Sequence, residues 1–295
     1  MQSHLESQDD GTNESSETSP ILPLELERKV FEMAFDPENP PFNGQLMLVA
    51  KRVRIWIRPI VYRVMDQRQI RFPDMGKCPP SVNPTEVYQF TQHLAIDESR
   101  KDLDMVKEFI CNCPNLINLG YWTTEKDPWI LRHISKLQHL RRLSVNLDHG
   151  TTLNGVLEPS NREAFSSLTH LELINPEPDL PLHIFTECVN LTHFCICSDF
   201  TQDRTWYDML GNLLSSWETL HIFLVSIVKE GLPGRARAFY DNDTRIAIID
   251  IHMNDTVDWL RGAHGGIDAW WHAENLVFAR KRKYPVTFSL IHVVD

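Results

Sequence analysis

Apolar residues recur in short blocks along this chain, and their spacing changes character three times. The first twenty residues are polar, with five acidic side chains and no Lys or Arg. They offer too little apolar surface to offset ordering, which predicts a disordered acidic leader over 1–20. From Ile21 the pattern turns helical: Leu26, Val30, Met33 and Ala34 recur at the spacing of one helix face, behind a Pro23 suited to a first turn. A Pro- and Asn-rich stretch over 37–44 reads as a loop, and a second helix is expected from about Gln45. There Leu46, Val49, Val53, Trp56 and Ile57 share one side while Lys51, Arg52, Arg54 and Arg58 take the other, and Pro59 ends or kinks the helix.

Beyond a Pro-rich linker the period lengthens. Six segments share the form L-x-x-L-x-Φ, with Φ apolar, beginning at Leu116, Leu140, Leu168, Leu191, Trp217 and Ile246. Their fourth positions, at 119, 143, 171, 194, 220 and 249, are 23 to 29 residues apart, and a related strand around Leu94 extends the series backwards. Such spacing is the signature of leucine-rich repeats, each a strand plus a helix or turn, here in degenerate form. Helical stretches at 105–110, 129–134 and 206–210 precede strands as that architecture requires. After a final strand over 244–253, Asn254-Asp255-Thr256 reads as a helix cap cluster, 262–266 as a glycine-rich turn and 267–280 as a helix. This C-terminal part is expected to cap the last open repeat edge.

If the leucine positions point inward, strand alternation sends the residues between them outward. The outward columns are then Asn118, Gly120 and Trp122; Arg142, Ser144 and Asn146; His170, Glu172 and Ile174; His193, Cys195 and Cys197; Thr219, His221 and Phe223. From these, Trp122, Arg142, His170, Glu172 and His193 are the candidate target-binding surface, an exposed Trp beside an Arg being a common interface anchor. The alternative for Trp122 is burial under a loop. His193, Cys195 and Cys197, with His170 and His221, can be drawn as a zinc site. The cysteine spacing of one residue and the lack of a second pair argue instead for thiols used as small apolar side chains, so no metal and no cofactor are expected.

At its N-terminal end the chain resembles the F-box. The resemblance rests on Leu22-Pro23-x-Glu25-Leu26, on Leu48-Val49-Ala50-Lys51-Arg52-Val53 and on Trp56-x-x-Pro59-x-x-Tyr62-Arg63. It is strongest to the F-box-like proteins abundant in mushroom-forming fungi, and Val257-Asp258-Trp259, Gly265-Gly266-x-Asp268-x-Trp270 and the basic run 280–283 resemble their C-terminal end. The resemblance implies docking on the Skp-type adaptor of a cullin-RING ubiquitin ligase, with Leu22, Pro23, Leu26, Val30, Leu48, Val49, Trp56 and Pro59 as apolar contacts. It also implies an unknown target protein held by the repeats. The expected organisation is a leader at 1–20, an F-box-like helical module at 21–71 and a linker at 72–84. An irregular leucine-rich-repeat-like solenoid at 85–253 and a C-terminal helical cap at 254–295 complete an α/β fold. A repeat scaffold without a ligase is the alternative.

Charge and composition narrow this further. With 29 basic against 40 acidic residues the chain is poorly suited to gripping nucleic acid. Apolar runs of at most five residues do not span a bilayer, and no signal peptide is legible. Six cysteines in such a chain read as reduced thiols in a cytoplasmic or nuclear protein. No phosphate loop, H-E-x-x-H or G-x-S-x-G is present, so an enzyme is not expected. The run 280–283 reads as a solvent-facing basic end to the last helix rather than a nuclear address.

Overall fold

The computed structural model describes residues 22–66, 83–97, 103–123, 129–133, 136–146, 165–176, 182–197, 204–227, 234–250, 255–284 and 291–292. The expected leader, Cys78 and all but the last two residues of the expected linker lie outside them. The chain divides into two compact units, one ending at Arg58 and one beginning at Pro59.

The first unit holds α1 (Leu24–Ala34), α2 (Pro40–Val49) and most of α3 (Lys51–Val61). Glu25 and Glu27 sit in the first turn of α1, where negative charge meets the positive end of the helix. The stretch expected as a loop is half helical. Asn39 caps α2, its side chain accepting from the Phe42 N–H at 3.2 Å, and Pro40 fills the first turn where no N–H is needed. The single long second helix is in fact two, because Ala50 between them is fully extended. Pro59 lies inside α3, two residues before its end, and does not stop the helix. An ion pair between Arg52 and Glu27 and a tilted contact of the Phe31 and Trp56 rings, 6.5 Å apart, tie α3 to α1.

Among the described residues of the second unit nine strands form one sheet whose order is the chain order, every neighbouring pair parallel. They are β1 (Val64–Asp66), β2 (His93–Asp97), β3 (Asn118–Trp122), β4 (Arg142–Asn146) and β5 (His170–Ile174), followed by β6 (His193–Cys197), β7 (Ile222–Ile227), β8 (Ile246–Asp250) and β9 (Ile291–His292). Between them run α4 (Pro84–Phe90), α5 (Leu103–Cys111), α6 (Trp129–His133), a 3-10 helix (Leu182–Glu187), α7 (Arg204–Ser216) and α8 (Gly234–Asn242). The fold is therefore α/β with a parallel sheet.

The same backbone device opens successive strands. The carbonyls of Arg63, Gln92, Ile117, Arg141, Thr169 and Thr192 each accept two consecutive N–H groups of the next strand's entry, at 2.8–3.1 Å. Between these entries Asn115 and Asn190 each donate a side-chain N–H to a carbonyl of the preceding turn, Gln89 O and Ser166 O, at 2.8 and 2.7 Å. Alternation then divides the residues between the two faces of the sheet. Leu94, Leu119, Leu143, Leu171, Phe194, Phe223 and Ile246 are register partners from strand to strand and lie in one apolar core. Val106, Phe109, Ile130, Leu210, Leu214 and Phe239 from α5 to α8 fill it from the helix side.

The expected inward frame thus holds for four of the six segments and shifts by three residues in the last two. Phe223 and Ile246, rather than Leu220 and Ile249, stand in line with Phe194. Phe223 is consequently a core residue, and the outward positions of β7 are Ile222, Leu224 and Ser226.

The C-terminal segment departs most from expectation. It contributes α9 (Asp255–Ala263) and α10 (Ala269–Lys281), and these do not cap the sheet edge. They lie on the face opposite the main core. Ala269, Ala273 and Val277 of α10 pack on Cys195, Ile222, Leu224, Ala247 and Ile249, while Trp259 of α9 packs on Ala95, Trp122, Ile174 and Cys197. The edge beside β8 is instead paired by β9. Arg280, expected in solvent, donates to the carbonyls of Ile246 and Tyr240 and stands 3.6 Å over the Tyr240 ring.

Candidate functional site

Two surfaces carry the residues that the sequence singles out. In the first unit α1 buries none of its side chains. Leu26, Val30 and Met33 follow one another at helical spacing on one side and are all exposed, as are Leu22 and Pro23 ahead of them. Leu48 and Val49 end α2, where the break at Ala50 leaves Leu48 85% exposed and Val49 61% exposed. Trp56 and Pro59 are half-buried, Trp56 through its contact with Phe31. Leu24 and Ile55 add further exposed apolar side chains that the sequence reasoning did not single out. That density of exposed large apolar residues in about forty residues exceeds the scatter of isolated surface apolar side chains.

The second surface is the outward face of the sheet, and α9 and α10 occupy it. Trp122 is only 9% exposed: its indole N–H donates to Ser144 Oγ at 2.7 Å and its ring meets Trp259 edge-on at 6.1 Å. Gly120, two residues earlier on the same face, makes room for it, since a Cβ there would come within 2.7 Å of the indole. Burial is therefore the outcome for Trp122, under a helix rather than a loop. Arg142 is partly exposed, its guanidinium 3.9 Å from the Asp268 carboxylate, a separation at which the pair contributes little. Asp268 itself caps α10 by accepting from the Trp271 N–H at 2.8 Å. Glu172 is half-buried and accepts from the Cys195 thiol at 3.7 Å.

His170 and His193 are brought together. They are register partners in β5 and β6, their rings stacked 4.0 Å apart and 9° from parallel. Trp270 of α10 closes over both, edge-on at 5.2 and 5.7 Å. Burial, with His193 and Arg142 adding to it, pushes His170 down to about 2. His193 is held at about 4 by burial together with Arg142 and His221, although the Glu274 carboxylate lies 3.4 Å from its Nε2. Both imidazoles are neutral at pH 7. Beside them Arg142, Ser144, Glu172 and Asp268 border a cavity of about 30 Å³, room for a water or two.

The cysteine-based metal cluster does not assemble. His221 is exposed and precedes β7, and Cys195 is engaged with Glu172. Cys111 is exposed, and Cys113, Cys188, Cys195 and Cys197 are buried free thiols. Burial pushes Cys113 up to about 12 and Cys188 up to about 11, so both are inert. The residues that sequence reasoning missed are Trp270 and Glu274, four apart on one side of α10. That spacing was legible, but the strands they meet were not. Among the described residues no helix is long and apolar enough to cross a membrane. The sequence matches no protein-family model and no curated protein.

Proposed function

We propose that this chain is an F-box-like substrate receptor. On this reading α1 to α3 dock on the Skp-type adaptor of a cullin-RING ubiquitin ligase, and the parallel-sheet unit, a degenerate leucine-rich-repeat solenoid, holds a target protein. The observation that carries the reading is the exposure of Leu22, Leu26, Val30, Leu48 and Val49, each between 44% and 85%. Those are the positions at which the F-box resemblance places adaptor contacts. Strands in chain order, entered through one repeated backbone device, support the repeat reading of the second unit.

The chain does no chemistry in this scheme. It raises the effective concentration of a target lysine beside a ubiquitin-charged partner held elsewhere in the assembly. With Trp122 and His170 buried, target contact falls to the surface that α10 presents, where Trp271 and Phe278 are 46% and 52% exposed. A helix with apolar residues on both its inner and outer sides has more than one surface to cover. A ligase-free scaffold is the second reading, favoured by the covered face.

Co-expression with a fungal Skp-type adaptor separates the two. Wild-type protein is expected to co-purify with the adaptor, and a Pro23→Ala/Leu26→Ala variant, its folding checked by circular dichroism, to be captured at least tenfold less. Loss of an apolar anchor at an interface centre typically costs about 1–2 kcal/mol or more, so two suffice for that change. A well-folded wild type that captures no adaptor leaves the scaffold.

A further inference from the structure

The stacked histidines lie on two copies of one sequence element. Leu168-Thr169-His170-Leu171 and Leu191-Thr192-His193-Phe194 are 23 residues apart and occupy the same place at the entries to β5 and β6. In each copy the threonine stands against the histidine that follows it: Thr169 Oγ1 is 2.9 Å from His170 Nδ1, and Thr192 Oγ1 is 2.8 Å from His193 Nδ1. Each hydroxyl has a single proton, and each already donates it to a backbone carbonyl, Thr169 to Arg141 O at 3.1 Å and Thr192 to Thr169 O at 3.3 Å. While that proton stays on the carbonyl the hydroxyl accepts from the ring, and in that tautomer the imidazole proton sits on Nδ1 and each Nε2 carries a bare lone pair.

His170 is nine-tenths buried, and among the described residues no donor reaches its Nε2, which makes no hydrogen bond to any of them. In that tautomer His193 Nε2 and Glu274 Oε1, 3.4 Å apart, are two acceptors opposed across a gap. The ligand atoms of His170, His193 and Glu274 all lie within 4.8 Å of one another. Three acceptors converge there, two nitrogens and one carboxylate oxygen, and a cation is what such a cluster lacks.

We propose that His170, His193 and Glu274 form a binding site for a zinc-class divalent transition-metal ion, which clamps α10 onto β5 and β6. Two imidazole nitrogens and one carboxylate are a common zinc donor set, with water completing the tetrahedron, whereas hard ions such as Mg²⁺ and Ca²⁺ select oxygen. Donors bound to one zinc at about 2.0–2.1 Å in tetrahedral geometry sit roughly 3.3 Å apart, close to the His193–Glu274 separation. His170 closes the remaining distance as the two near-parallel rings tilt toward a shared ion, and the half-exposed Glu274 side chain is free to follow. The threonines supply the outer-shell hydrogen bonds that hold metal-bound imidazoles in one orientation. This inference is independent of what docks on α1 to α3.

Titration of chelator-stripped full-length protein with Zn²⁺, followed calorimetrically and by metal content after gel filtration, tests it. One ion per chain is expected, together with a thermal midpoint that rises with free Zn²⁺. Glu274→Gln, at an exposed helix position where the fold is not at stake, is expected to weaken binding at least tenfold; His170→Asn is expected to abolish it. Cobalt loading is expected to give the visible bands of a four-coordinate nitrogen and oxygen site. A thiolate-to-metal charge-transfer band would move the ion to the cysteines and overturn the assignment. Affinity unchanged by Glu274→Gln, or stoichiometry well below one in folded wild type, also overturns it.

Discussion

Phe194→Ala is expected to lower the unfolding free energy of the sheet unit by about 3–5 kcal/mol, the range for removing a buried aromatic ring from a packed core. Phe194 is fully buried in β6 between its register partners Leu171 and Phe223. Its ring lies 5.1 Å from Trp217, 5.7 Å from Phe185 and 5.8 Å from Phe223, so truncation deprives three aromatic neighbours of a partner at once. Urea denaturation followed by tryptophan fluorescence reads the loss directly, because Trp217 reports from the same contact. A cost below about 1 kcal/mol would mean that the inward ladder through Leu171, Phe194 and Phe223 is not the core.

The second expectation concerns acid. His93, on the outward side of β2, has its pKa lowered to about 4 by burial, with Arg63, Arg142 and His264 reinforcing the shift. In the unfolded chain an imidazole titrates near 6.5. Between those values the unfolded state binds a proton that the folded state refuses, so stability rises with pH across the interval and is fully present above it. Lowering the pH from 7 to 4.5 is therefore expected to remove about 2–3 kcal/mol through His93 alone, at about 1.4 kcal/mol per pH unit. The loss begins near pH 6.5 and ends near pH 4. Urea midpoints measured across this range on wild type and His93→Asn check it: the wild-type curve falls, and the variant's is flatter by that amount. Parallel curves would remove His93 from the account.

Much of the sheet was legible because its inward positions obey a simple rule. Leu119, Leu143, Leu171 and Phe194 each follow a buried leucine by three residues, at Leu116, Leu140, Leu168 and Leu191. The frame slipped at β7 because Trp217 and Leu220 are themselves a buried pair at that spacing and imitate the motif one turn too early. At β8 it slipped because the strand is buried on both sides. Residues 246–249 are uniformly apolar, Ile246 and Ile248 toward the main core and Ala247 and Ile249 beneath α10, so alternation carries no information there.

The covering role of α9 and α10 was hidden for a related reason. Sequence placed apolar residues on α10, but an edge and a face ask for the same residues. Only the strand register shows that Cys195, Leu224 and Ala247 needed a partner on that side. The first unit was readable in its exposed side chains and misread in its helices, where Asn39-Pro40 marks a helix start inside what composition presents as a loop. Of the candidate site, the pairing of His170 with His193 follows from the repeat. Glu274 follows from nothing local, since it arrives from a helix some eighty residues further along the chain.

The claim on which the rest depends is that the chain's own C-terminal helices, rather than a partner, occupy the outward face of the sheet. Peptide-resolved thiol labelling of the native, metal-free protein tests it most directly. Cys111 is exposed, whereas Cys195 lies beneath α10 and Cys197 beneath Trp259. Cys111 is expected to be modified to completion while Cys195 and Cys197 stay unmodified until denaturant is added. Labelling of Cys195 and Cys197 at the rate of Cys111 would contradict it, open the face, and return Trp122, Arg142, His170, Glu172 and His193 to the target surface.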